Sequence, residues 1–118
     1  MHEPIYTLKA EFFKTLGHPA RIRILELLAQ GDQSVTELMP ELGLEPSNLS
    51  QQLAVLRRAG MVVARKQGNN VIYSIASDDM AELLLLARKV LTGLLKDQMG
   101  LLKDLQASAR AAARAGHG

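Results

Sequence analysis

Leu49, Leu53 and Leu56 recur at helical spacing between Pro46 and Gly60, with Ser47, Asn48, Ser50, Gln51 and Gln52 set among them. This pattern predicts an amphipathic helix with a leucine face turned inward and a short polar, nearly uncharged face turned outward. Proline suits the first helical position, where its missing N–H costs nothing, and glycine suits the residue just past the end. Arg57 and Arg58 follow at the C-terminal end. Beyond Gly60 the period changes. Two β-rich runs, Met61 to Lys66 and Val71 to Ile75, flank Gln67-Gly68-Asn69-Asn70. Glycine and asparagine tolerate positive φ, so the middle reads as a hairpin turn and the whole as a two-stranded wing. Val71, Tyr73 and Ile75 alternate with Ile72 and Ser74, the pattern of a half-buried strand.

The preceding segments are helical. Leu8, Phe12 and Leu16 stand four apart in a first helix that Gly17 ends. His18-Pro19 opens a second, with Ile22, Leu25 and Leu28 facing inward and Gly31 stopping it. Ser34-Val35-Thr36-Glu37 is a capping box for a third, in which the serine hydroxyl accepts from the N–H of Glu37 and the carboxylate reaches back. Leu38 and Leu42 carry its apolar face, Pro40 should kink or tighten it, and Gly43 ends it. Gly43-Leu44-Glu45 then forms the tight link of a helix-turn-helix, whose second helix enters a groove. Glu45 stands where Ser, Thr, Asp or Asn would cap better, next to the positive end of the following helix.

After the wing, Ser77-Asp78-Asp79 begins a long helical run. Met80, Leu84, Ala87, Leu91, Leu94, Gln98, Leu101 and Leu105 are spaced alternately four and three apart, a heptad seam interrupted by one glutamine. Such a helix is roughly 42 Å long, more than a domain this small can cover. Its surplus apolar face calls for another chain, with Leu84, Leu91 and Leu94 in the seam. Gly93 and Gly100 each weaken the helix by about 1 kcal/mol relative to alanine and are candidate break points. The domain is expected to span residues 1–105, followed by an Ala/Arg-rich tail, 106–118, that frays.

Composition narrows the function classes. The 118 residues suit one domain, and the scarcity of aromatics (two Phe, two Tyr, no Trp) makes its core aliphatic. Cysteine is absent, which excludes disulfides, thiolate metal sites and thiol redox sensing. No apolar run approaches the roughly 18 residues of a membrane span, and the N-terminus lacks a signal pattern, so a cytoplasmic location is expected. The formal net charge of +2 is unevenly spread: −2 over residues 1–44, +3 over 45–75 and +1 over 76–118. Positive charge thus concentrates on the polar helix and wing, as in a defined docking face for an anionic partner. Arg21 and Arg23 are either solvated charges or phosphate contacts. His18 reads as a helix-entrance residue, because no second His, Cys or carboxylate stands at ligand spacing. His2 and His117 are the remaining imidazoles, one near each end, where an acidic neighbour would be needed to complete a nickel or cobalt site.

LGHPARIRILELL (16–28), SVTELMPELGLEPSNLSQQLAVLRRAGMV (34–62) and RKQGNNVIYSI (65–75) resemble the ArsR/SmtB family of bacterial winged-helix repressors, in the same order. The resemblance implies a mainly α fold with a two-stranded β wing, a winged helix-turn-helix that dimerises through its first and last helices. It implies binding to a palindromic double-stranded DNA operator and release by an inducer. Carried over by position, base reading falls on Ser47, Ser50 and Gln51, and backbone contacts fall on Arg65, Lys66, Gln67 and Asn69. The sensor does not carry over. Ser34 and Thr36 stand where many members have a cysteine pair, and the last helix has Asp78, Asp79 and Glu82 before it runs on without histidine. No metal, cofactor or catalytic residue is therefore expected, and no inducer is named. A winged-helix module for protein–protein assembly alone is the alternative. It leaves unexplained the basic charge over residues 45–75 and the lack of large apolar anchors on the polar helix face. An enzyme is disfavoured, since neither a nucleophile–base arrangement nor a glycine-rich phosphate loop is present.

Overall fold

The computed structural model describes residues 3–116, and the chain divides into two units after Glu82. The first unit contains α1 (Ile5–Leu16), α2 (Pro19–Gln30), β1 (Gln33–Ser34), α3 (Val35–Leu42), α4 (Pro46–Arg58), β2 (Val62–Gln67) and β3 (Asn70–Ile75). The last helix, α5 (Asp78–Gly116), contributes its first turn to this unit and makes up the described part of the second.

Helices α2, α3 and α4 pack on one another, and α2, α3 and α4 also approach the sheet. The core they enclose is aliphatic: Ile24, Leu25, Leu28, Leu38, Leu49, Leu53 and Leu56 are fully buried, joined by Met61 and Val62 at the root of the wing. In α2 the buried set is Ile24, Leu25, Leu27 and Leu28, whereas Ile22, expected inward, is half-buried near the helix entrance. In α1 only Leu16 is buried; Phe12 is half-buried and Leu8 is exposed. The four-residue spacing of α1 therefore marks an apolar face that this chain leaves largely uncovered.

Local chemistry accounts for most boundaries. His18 caps α2, its Nδ1 accepting from the N–H of Ala20 at 3.2 Å, and Pro19 takes the first helical position. Both bonds of the capping box at α3 are present, Glu37 N–H to Ser34 Oγ at 3.2 Å and Ser34 N–H to Glu37 Oε1 at 3.1 Å. Gly43 ends α3 in the left-handed region with φ of 63°. Helix α4 closes in a Schellman motif: Met61 N–H reaches the Leu56 carbonyl and Gly60 N–H the Arg57 carbonyl, with Gly60 at φ 75°.

The wing departs from a simple hairpin. β3 is the central strand of a three-stranded antiparallel sheet, order β1-β3-β2, because the extended backbone leading into α3 pairs Gln33 with Tyr73 and Ser34 with Ile72. The β2–β3 turn is two residues, Gly68-Asn69, with Gly68 at φ 64° and Asn69 outside the positive region, the signature of a type II′ turn. The expected in–out alternation of β3 is absent: Ile72, Tyr73, Ser74 and Ile75 are all half-buried. Helices α2 and α3 approach the strand, and the Arg65 guanidinium donates to Ser74 Oγ at 3.0 Å, so neither face is left open.

Ser77 Oγ accepts from Met80 N–H at 3.3 Å and starts α5 as expected. The helix passes Gly93 and Gly100 without a break and continues through the Ala/Arg-rich tail to Gly116. Alanine and arginine are strong helix formers, which offsets the two glycines. In the second unit the seam positions Leu91, Leu94, Leu101 and Leu105 are exposed, as are the flanking Val90, Leu95 and Leu102. The outermost heptad position carries Lys89, Lys96, Lys103 and Arg110, opposite this stripe. No helix among the described residues is long and apolar enough to cross a membrane.

Candidate nucleic-acid interface

Helix α4 is held by its leucine face, and that fixes what it shows to solvent. Leu49, Leu53 and Leu56 are buried against α2, α3 and β2, which leaves Ser47, Ser50, Gln51, Arg57 and Arg58 exposed. The first turn of α4 has no side-chain cap; Glu45 stands at the cap position without bonding a backbone N–H, and Pro46 has none to offer. Backbone donors at the start of the helix are therefore free for an anionic or polar partner. Between α4 and β3, an open pocket of about 500 Å³ is lined by Ser50, Ala54, Arg57, Arg58 and Tyr73. Two guanidinium groups thus border a concave, solvent-filled surface beside the polar face.

On the wing, Lys66, Gln67 and Asn69 are exposed at or beside the turn. Arg65 is exposed but bonded within the chain: its Nη1 donates to Asp32 Oδ2 at 2.8 Å and to Ser74 Oγ. The hydrogen bond from Arg65 holds the Asp32 carboxyl below its ordinary range, helped by Ser74. Lys66 makes no ion pair among the described residues.

One expected surface residue lies inside. Gln52 is 8% exposed, its Oε1 accepting from Arg21 Nε at 2.8 Å and its Nε2 donating to Asn48 Oδ1 at 3.1 Å. Arg21 also donates to the Thr15 carbonyl at 3.0 Å, which makes it a tie between α1, α2 and α4. The sequence did contain a signal: Leu49, Gln52, Leu53 and Leu56 make up a complete i, i+3, i+4, i+7 stripe. A glutamine in such a stripe must find an internal partner, since an unbonded buried amide is costly. No buried side-chain nitrogen or oxygen among the described residues lacks a partner.

Helix α4 thus shows a polar, uncapped start and two arginines, and the wing that follows it shows an exposed lysine. A sequence model described as bacterial regulatory protein, arsR family, matches residues 18–63. The chain is 64% identical over 110 residues to the HTH-type transcriptional regulator Rv0081 of Mycobacterium tuberculosis, spanning 92% of this chain and 96% of that relative. The chain belongs to the ArsR family. The crystal structure of Rv0081 matches with a TM-score of 0.78 at 67% identity, covering 83% of this chain and 99% of the other. A second likeness is the solution structure of the homodimeric winged helix-turn-helix DNA-binding domain of Mb0332 from Mycobacterium bovis. It has a TM-score of 0.68 and 31% identity over 78% of this chain and 91% of that one. A biofilm growth-associated repressor of Agrobacterium fabrum is 45% identical over 75 residues, 64% of either chain.

As an ArsR-family member the protein is a helix-turn-helix transcriptional regulator, and its partner is DNA. Helices α3 and α4 with the link Gly43-Leu44-Glu45 are the helix-turn-helix, and β2–β3 is the wing. Ser47, Ser50 and Gln51 share the exposed face of α4, and Lys66, Gln67 and Asn69 stand together on the wing. Arg65 is on the wing too, but tied to Asp32. Of the candidate metal groups, His18 is a helix cap, while His2 and His117 lie outside the described residues.

Proposed function

We propose that the protein is a homodimeric repressor that inserts α4 into the major groove of each half of a palindromic operator in the cytoplasm. The observation that carries this reading is the exposed, uncapped polar start of α4, with Ser47, Ser50 and Gln51 on one face, Arg57 and Arg58 in the last turn and Lys66 exposed on the wing. Short hydroxyl and amide side chains read base edges in the major groove, and N-terminal residues of a recognition helix make such contacts. Arg57, Arg58 and Lys66, with Gln67 and Asn69, supply phosphate contacts, which set register and affinity rather than sequence. Arg65 joins them once it leaves Asp32.

Dimerisation is supported by the uncovered apolar side chains of α1 (Ile5, Tyr6, Leu8, Phe13) and of α5, where Leu91 and Leu94 are exposed. The homodimeric state of Mb0332 and the repressor role of the Agrobacterium relative point the same way. In this reading residues 1–105 form the DNA-binding and dimerisation domain, with Leu84, Leu91 and Leu94 in the seam, and residues 106–118 are a tail. Two half-sites about one helical turn apart are then read together, which raises affinity by about 10²–10⁴ over one contact.

Gel-shift titration of the purified chain on DNA upstream of its own gene, with light scattering to give the mass of the complex, tests both parts. Two protomers on one palindromic segment are expected. Binding of one protomer per duplex, or none to any segment of that region in preference to random duplex, would refute the reading.

A further inference from the structure

Asn48 lies in the first turn of α4, on the exposed surface, yet one end of its side chain is already committed. The direction of that commitment follows from the hydrogen-bond chain behind it. Arginine can only donate, so the Gln52 atom that meets Arg21 Nε at 2.8 Å must be the amide oxygen. That leaves the Gln52 NH₂ to face Asn48, and the Asn48 atom accepting from it at 3.1 Å must be its oxygen. The Asn48 NH₂ is then the end left for solvent. A permanently charged guanidinium two residues away in the chain of bonds thus sets the orientation of a surface amide that would otherwise turn freely. Gln52 is nine-tenths buried and Arg21 is further fixed on the Thr15 carbonyl, so the arrangement has little freedom to reverse.

We propose that Asn48 is a specificity-determining residue that leads with its NH₂ donor, and that the buried Gln52 positions it to do so. This rests on the reading above that α4 enters the major groove. A free asparagine pairs with adenine by donating and accepting at once, through N7 and N6. With its oxygen turned to Gln52 and its NH₂ turned to solvent, Asn48 meets the groove donor first and favours an edge made of acceptors. Guanine is that base, since its major-groove edge offers N7 and O6 and no donor, whereas cytosine offers the N4 donor. The operator therefore carries guanine at one position in each half-site, opposite the start of α4.

The inference yields a test in which a buried substitution changes a base preference. In Gln52→Glu the side chain has no donor; both oxygens accept, one from Arg21 and the other from Asn48. Asn48 must then turn over, and its oxygen faces the groove. Asn48→Asp makes the same change directly, with acceptors only. Selection of bound sites from a random-sequence duplex pool should give guanine at that position for the parent and a shift toward cytosine for both variants. The expected change in the guanine-to-cytosine ratio is about ten-fold or more. Thermal melting verifies that each variant is folded, and Asn48→Asp, at an exposed site, is the safeguard if Gln52→Glu is not.

Gln51→Ala serves as the internal control for groove entry. Selected sites unchanged in folded Asn48→Asp, with Gln51→Ala altering its own position, would overturn the role of Asn48 while leaving α4 in the groove. Sites unchanged in all three variants would remove α4 from the groove and this inference with it. A shift in Asn48→Asp but not in folded Gln52→Glu would overturn the positioning role of Gln52.

Discussion

Arg65 on β2 and Asp32 before β1 lie 33 residues apart in the chain and meet at 2.8 Å, both half exposed. The contact sits on the wing and places a carboxylate beside a cation that is a candidate for phosphate binding. Protein and DNA therefore compete for the same guanidinium. Asp32→Asn removes the competing charge and frees Arg65 without changing the shape of the site. Its affinity for DNA is expected to rise, on specific and random duplexes alike, and the slope of log affinity against log salt to steepen by about one unit. Titrations at several salt concentrations measure this, and an unchanged slope would place Arg65 outside the DNA contact.

The same pair gives a pH dependence. Asp32 titrates below its ordinary value of 3.8 in the folded chain, because the Arg65 hydrogen bond favours the carboxylate. The folded state then binds fewer protons there than the unfolded state. The contact contributes stability above the ordinary carboxylate value and loses it as pH falls through the lowered folded value. Parent and Asp32→Asn should differ in denaturation midpoint at pH 7 and converge once the pH has fallen below the lowered folded value. A difference that persists there would assign the effect to something other than this carboxylate.

Base reading and backbone contact are separable on α4 and the wing. Gln51→Ala should cost about 1–3 kcal/mol on the operator and little on random DNA, because only contacts to base edges are lost. Lys66→Ala should weaken binding to both and reduce the salt slope by about one. Equal losses for Gln51→Ala on the two duplexes would contradict its assignment.

Leu94 is 54% exposed in the single chain, so an arginine there disturbs no packing within the protomer. Leu94→Arg is expected to stay folded, sediment as a monomer and bind a half-site weakly, with the advantage of the full palindrome lost. A dimeric Leu94→Arg protein would take this residue out of the seam.

Gly60 has φ of 75° and open space where a Cβ would stand, so a substitution there meets backbone strain alone. Gly60→Ala should destabilise the protein by about 1–2 kcal/mol, read by chemical denaturation, with α4 still helical. A neutral outcome would show that the Schellman turn can be replaced at no cost.

Much of this protein is local and was legible from the chain alone. The caps at His18, Ser34 and Ser77, the stops at Gly43 and Gly60, and the leucine stripe of α4 depend on residues within a few positions of one another, so spacing and side-chain type determine them. The helix-turn-helix and wing follow from their order. Contacts between distant segments were decided by the tertiary structure. β1 became a strand only because Ser34 and Gln33 meet β3, and a two-residue segment has no period to read. Gln52 was assigned to the polar face by residue type, but its place is dictated by Arg21, 31 residues earlier, which satisfies its amide in the core. The resemblance puts Arg65 among the backbone contacts by its position on the wing, and the fold brings Asp32 to it. Hydrophobic periodicity records which face is buried; it carries no record of which distant partner a polar group meets, because that depends on how the elements pack.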